Sequence, residues 1–353
     1  MTHPPPPRYT PTTGCAATAE RRQDPLYATA PPAERWLLIE LNAPWPRAAL
    51  TALTHSTDPT TNLPAALSHL CTQLHTRPVL IRRHGRTTPR PRTGTPKAAS
   101  TAAASAMSSA ELPGGSAASP ISRDISSAAP TLAPPPRRWF LVDSRPGHES
   151  IRTGLCPTDE HLLQVLTGAD QGTLHPDPIY LVCTHGRHDA CCAVRGRPAA
   201  AALTAAYPDR TWECSHIGGD RFAANLVFLP ESLFYGHVPA TEAVPLAEAH
   251  TNRTITPAYY RGNGALPPPA QAAQHFAREA GHPLALNALT PIAITQPAPN
   301  RWSVTLQTTQ SQTITVALKA EAQTINAQLT CATQPPGHLR HFTLAAPIRT
   351  NTS

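Results

Sequence analysis

The chain has 353 residues, 42 of them proline, with a formal net charge of +7, 5% aromatic residues and 14% charged residues. That length allows two or three domains with cores of their own, yet the composition demands stretches too poor in large apolar side chains to fold. The positive charge is almost entirely arginine (the only lysines are Lys97 and Lys319) and no basic run is interleaved with aromatics, which argues against a nucleic-acid partner.

In chain order, "RWLLIEL" (35–41) reads as a buried strand, "PAALSHLCTQLH" (64–75) as an amphipathic helix and "PVLIRRHG" (78–85) as a second strand. Residues 87–136 are rich in Ala, Ser, Pro and Gly, without periodicity or an aromatic residue. They cannot bury enough apolar area to offset their ordering entropy, so a disordered insertion is expected there. Beyond it come strands "RWFLVDS" (138–144) and "ESIRTGL" (149–155), then a helix over 158–168 with Thr158 as N-cap and Gly168 as its stop. The same order recurs: a strand at 179–183, a helix at 197–207 and a strand at 211–216. A hairpin over 225–238 follows, turning at Pro230-Glu231-Ser232, and then a helix over 241–251.

A β-α-β unit followed by a β-β-α unit is thioredoxin-like, so the expected fold class is α/β with two tandem thioredoxin-like halves. The tail offers a helix at 268–281 and strands at 301–309, 312–320, 329–333 and 341–347, a small C-terminal α+β module. The expected domains are 1–172, carrying the insertion, then 173–252, then 253–353.

The second half carries the chemistry. "CTHGRHDACCAVRG" (183–196) and "CSHIGGDRFAAN" (214–225) hold Cys183, Cys191, Cys192 and Cys214, half of the chain's eight cysteines, with His185, His188 and His216. The N-terminus lacks a basic stretch followed by an apolar one, and no run of about eighteen apolar residues exists, so neither a secretory signal nor a membrane span is expected. A cytoplasmic location follows as an expectation, and in a reducing compartment clustered cysteines are metal-binding or redox-active more often than disulfide-bonded.

Zinc wants four tetrahedral ligands in close pairs, and no CxxC or HxxxH stands here. A 2Fe–2S cluster wants two pairs, one per iron, with room for longer loops. Cys183 closes one strand, with Cys192 nine residues on; His216 closes the neighbouring strand, with Asp220 four residues on. Both loops then leave the same end of adjacent strands, and the intervening glycines let backbone N–H groups approach the sulfides. Asp220 also fits as the N-cap of a short helical turn, in which case Cys191 or Cys214 is the alternative fourth ligand. Cys15, Cys71, Cys156 and Cys331 read as packing residues or inert thiols. Arg187, Arg195, Arg197 and Arg221 read either as solubilising charge or as a basic rim that steers an acidic partner.

These two stretches, with "CAATAERRQDPLYATAPPAERWLLIE" (15–40) and "RGNGALPPPAQAAQHFAR" (261–278), resemble the sucrase/ferredoxin-like family, whose redox domain is a thioredoxin-like ferredoxin. Members with an established cluster hold 2Fe–2S through two cysteines and the two histidines of an HxGGH motif. The resemblance therefore implies Cys183, Cys192 and His216 as cluster ligands and a ferredoxin-type electron carrier served by a reductase and an acceptor protein. This chain departs at Asp220, where those members have histidine. Nothing supports sugar hydrolysis, since acidic residues are sparse and scattered. The competing readings are a thiol- or zinc-based redox sensor using Cys191 and Cys192, and a metal-free thioredoxin-like scaffold.

Overall fold

Ten strands of this chain share one sheet. The computed structural model describes residues 12–53, 62–85 and 136–351; all but the last residue of the expected disordered insertion, 87–136, lie outside them. The first elements are α1 (Cys15–Arg22), β1 (Arg35–Glu40), α2 (Leu63–Gln73), β2 (Thr76–Arg82), β3 (Arg137–Asp143), β4 (Ser150–Cys156), α3 (His161–Thr167) and β5 (Thr173–Leu174). They are followed by β6 (Ile179–Cys183), α4 (Ala190–Ala206), β7 (Thr211–Cys214), β8 (Leu226–Leu229), β9 (Leu233–Tyr235), α5 (Ala240–Thr251) and β10 (Tyr260–Asn263). The sheet order is β10-β9-β8-β6-β7-β2-β1-β3-β4-β5.

Within it one arrangement occurs twice. β1 runs parallel to β2 and antiparallel to β3, which pairs antiparallel with β4. β6 runs parallel to β7 and antiparallel to β8, which pairs antiparallel with β9. The halves meet where β2 pairs antiparallel with β7 through Ile81↔Cys214 and Arg82↔Glu213. Strands buried on both faces read as continuous apolar runs, as "LVFL" of β8 does, buried at every position.

A second sheet follows α6 (Pro268–Glu279): β11 (Leu289–Ala298), β12 (Arg301–Thr308), β13 (Thr313–Ile325), β14 (Gly337–Leu344) and β15 (Arg349–Asn351). Its strands run antiparallel in the order β11-β12-β13-β14, with β15 on β13. Its core joins Ala272, Ala273 and Ala277 of α6 to Val304, Leu306, Ile314, Val316, Leu318 and Phe342, an alternating pattern that leaves its other face polar.

Four local expectations need correction. The helix expected at 197–207 begins seven residues earlier, because Asp189 caps it by accepting the Cys191 N–H at 2.8 Å, and Pro198 does not prevent an upstream start. Cys191 and Cys192 therefore lie in a helical first turn rather than a loop. The strand expected at 329–333 is a turn between β13 and β14; the Thr330 N–H and hydroxyl bond Thr333 Oγ1 instead of a neighbouring strand. The strand expected at 341–347 begins earlier, at Gly337. α3 starts at His161, with Thr158 reduced to accepting the His161 N–H through its carbonyl.

Candidate metal centre

β6 and β7 are parallel and in register at Cys183↔Cys214, so their following loops leave the sheet side by side. The β6 loop enters α4 and delivers Cys192. The β7 loop delivers His216 and then Asp220, the first residue of a short 3-10 turn whose preceding Gly219 sits at φ 80°. Asp220 does not cap that turn. Its side chain points inward, 2% exposed as a residue, and gathers three neighbours. Cys192 Sγ donates to Oδ1 at 3.2 Å, His216 Nδ1 lies 2.9 Å from the same oxygen, and His188 Nε2 lies 3.4 Å from Oδ2. The His188 and His216 rings stack at 3.7 Å between centroids.

The electrostatics follow from this packing. Burial raises the Asp220 carboxyl, but the imidazoles of His188 and His216 outweigh it and hold the group well below the ordinary carboxylate range. Hydrogen bonding to Asp220 in turn raises His188. The Cys183 thiol is lowered by thiol donors from Cys192 and Cys214, while those two are raised, Cys192 chiefly by its bond to Cys183 and Cys214 chiefly by burial. Arg77, near Cys183 and Cys214, and the fully buried Arg261, near Asp220 and Cys192, supply compensating positive charge.

Arg261 also builds the loop. It donates to the Gly218 carbonyl at 3.0 Å, Asn225 Oδ1 at 2.8 Å and the Thr29 carbonyl at 2.6 Å. Asn225 reaches back to the Gly219 carbonyl at 2.8 Å. The two glycines serve this clamp. Gly218 and Gly219 both have positive φ, and a Cβ on Gly219 would stand 2.4 Å from the guanidinium. A Cβ on Gly218 would meet Pro31, and one on Gly186 would meet Ala193. His185, read as a loop residue, is buried; its ring contacts the Pro46 carbonyl at 2.8 Å and accepts the His216 N–H at 3.3 Å.

Residues 26–262 match the sucrase/ferredoxin-like family model. The chain belongs to the sucrase/ferredoxin-like family. No curated protein and no solved structure matches it.

The donors of this sucrase/ferredoxin-like chain are of metal-binding kind: His188, His216 and Asp220 each offer a ligand atom within 4.8 Å of the others, and Cys192 Sγ approaches Asp220 Oδ1 at 3.2 Å. Cys192 and His216 thus adjoin Asp220, and Cys183 adjoins Cys192. Of the alternates for the fourth position, Cys214 sits wholly buried beside Cys183. Cys191, adjacent in sequence to Cys192, faces elsewhere and contacts Cys15 at 3.7 Å and Cys331 at 3.5 Å. Cys15 and Cys331 are therefore not isolated packing thiols; their sequence positions, 316 residues apart, gave no sign of it.

The expected basic rim divides. Arg195 pairs with Glu20, and Arg221 lies 3.4 Å from Asp24 with its side chain 17% exposed. Arg187 and Arg197 are exposed. Among the described residues no helix is long and apolar enough to cross a membrane.

Proposed function

We propose that this protein is a one-electron carrier of ferredoxin type, holding a 2Fe–2S cluster through Cys183, Cys192, His216 and Asp220. The observation that carries the reading is the convergence on Asp220 Oδ1 of the Cys192 thiol at 3.2 Å and the His216 imidazole nitrogen at 2.9 Å. Such a cluster supplies a one-electron couple whose potential depends on ligand charge and on hydrogen bonds to its sulfurs. Cys183 and Cys192 would ligate as thiolates. His188, at the far carboxylate oxygen, would orient Asp220, as outer partners commonly orient metal ligands. Arg77 and Arg261 would offset the negative charge of two thiolates and a carboxylate.

We read each four-strand unit as thioredoxin-like, with the second, 173–252, as the ferredoxin domain, 1–172 as its metal-free counterpart and 253–353 as an attached α+β module. The His188 and His216 side chains, 25% and 29% exposed, put the site's edge within reach of a partner. Exposed Arg187 and Arg197 favour one with an acidic surface, a reductase or an acceptor, in the cytoplasm. Replacing both arginines by glutamate should slow reduction by such a partner and abolish its ionic-strength dependence.

The decisive variant is Cys183→Ala. The unsubstituted chain should purify brown, with iron and acid-labile sulfide in equal amounts, and the variant should lose both. An unchanged spectrum and metal content in the variant would refute the assignment.

A further inference from the structure

A second set of donors lies behind the first, on the other side of Cys191. Cys15 opens α1, Cys191 is in the first turn of α4, and Cys331 is in the turn between β13 and β14. Their sulfurs form a nearly equilateral triangle with edges of 3.7, 3.5 and 3.6 Å. Zinc bound to thiolates at about 2.3 Å in a tetrahedron has sulfur–sulfur edges of roughly 3.8 Å, so the triangle is close to one face of a ZnS3 site.

A fourth donor is in place. Asp189 Oδ2 is 3.6 Å from Cys15 Sγ, against roughly 3.5 Å between oxygen and sulfur in a tetrahedral site of this kind. One ligand atom from each of the four residues falls within 4.8 Å of every other. Asp189 accepts the N–H groups of Cys191 at 2.8 Å and Cys331 at 2.6 Å, which fix the carboxylate while leaving lone pairs free, since it has about four acceptor positions.

Packing alone accounts poorly for this carboxylate. Asp189 is 2% exposed, its partners are thiols and backbone N–H groups, and no Arg, Lys or His pairs with it among the described residues. A buried acid among three thiols is a concentration of acidic groups with no counter-cation, an arrangement that is costly unless a cation supplies the missing charge.

We propose that Cys15, Cys191, Cys331 and Asp189 bind one zinc ion in a closed, structural, tetrahedral site distinct from the cluster site. Three thiols would lose their protons to solvent as the ion enters, and half-exposed Cys331 marks the way in. The ion would tie α1 and the β13–β14 turn to the start of α4, the helix that carries Cys192. Cys15 and Cys331 lie outside the family-matched residues 26–262. The site does not depend on the cluster, and the vicinal pair Cys191-Cys192 would divide between the two.

The test is elemental analysis and zinc-edge X-ray absorption on the full chain expressed with zinc. One zinc per chain is expected, in a shell of three sulfurs and one oxygen. The Cys183→Ser/Cys192→Ser double variant should keep it. Cys331→Ser, a change in a partly exposed turn, should weaken zinc binding at least about tenfold, and Cys15→Ser/Cys331→Ser should abolish it. Absence of zinc, zinc indifferent to Cys331→Ser, zinc lost from the Cys183/Cys192 variant, or a nitrogen-rich shell would each overturn the proposal. The absorption measurement needs no substitution, so a variant that misfolds leaves it decisive.

Discussion

Asp220 is the residue on which the proposed redox chemistry would turn. A carboxylate in place of an imidazole makes the ligand set more anionic and removes one titrating nitrogen, which lowers the potential and weakens its pH dependence. Asp220→His should therefore raise the reduction potential and make it fall more steeply with pH, measurable by potentiometric titration at several pH values. A lower potential would contradict the ligand assignment. Arg261 acts one step removed: Arg261→Met would orphan the Gly218 and Thr29 carbonyls and Asn225 Oδ1. A loss of about 3 kcal/mol or more in urea denaturation is expected; a loss below about 1 kcal/mol would show that the clamp is not structural.

The proposed ligand positions could be picked out of the sequence because Cys183 and Cys192, and His216 and Asp220, are local in it. Arg261 was not, because its partners come from Thr29, Gly218 and Asn225, and nothing in "RGNG" signals a buried cation. The trio of Cys15, Cys191 and Cys331 was hidden in the same way. Cys15 and Cys331 looked like lone thiols, and Cys191 like a partner of Cys192 alone, until folding brought three distant segments together.

At the scale of elements, two contacts hold the site in place. α4 lies against β6 so closely that a Cβ on Gly196 would come 2.1 Å from the Cys183 carbonyl oxygen. Gly196→Ala must push the helix off the strand and separate Cys192 from Cys183. A stability loss of about 1–3 kcal/mol with diminished iron content is expected, and normal iron with normal stability would refute the close approach. The second contact is the β2–β7 seam, where buried Glu213 meets Arg82 Nε at 2.8 Å, His84 Nδ1 at 2.7 Å and the Thr184 hydroxyl at 3.0 Å. Burial alone would raise its carboxyl, but Arg82, His84 and Thr184 outweigh that and lower it below its ordinary 4.5. A carboxyl lowered on folding stabilises the fold above its unfolded value, and this contribution fades as pH falls through the folded one. Glu213→Gln should cost about 3 kcal/mol at pH 7 and should flatten the decline in stability below pH 4.5. An unaltered acid limb would exclude Glu213 from the seam's energetics.

Strands and helices of the large sheet were readable because "RWLLIE", "IYLVC" and "LVFL" are continuous apolar runs between turn residues. The start of α4 was missed because "HDACCAV" carries no helical periodicity. What starts the helix is a cap, Asp189, whose presence is visible in sequence but whose bond to Cys191 is not. The turn around Cys331 was read as a strand from "LTCAT", a fair β-forming sequence overridden by its position between β13 and β14.

For the whole molecule, the sequence suggested two similar halves, and the structure joins two equivalent four-strand arrangements edge to edge in one sheet. That junction was not legible, since two register pairs between β2 and β7 leave no pattern in either strand. The proposed ligand residues follow the parallel strands of the second half, β6 and β7, which are central in the large sheet. The central claim is that the ends of these strands hold a di-iron, di-sulfide centre. Iron and sulfide analysis of the full chain after anaerobic reconstitution, with electron paramagnetic resonance of the dithionite-reduced protein, tests it most directly. Equal iron and sulfide with a single spin-half signal is the expected result; colourless protein without iron, sulfide or signal would contradict it.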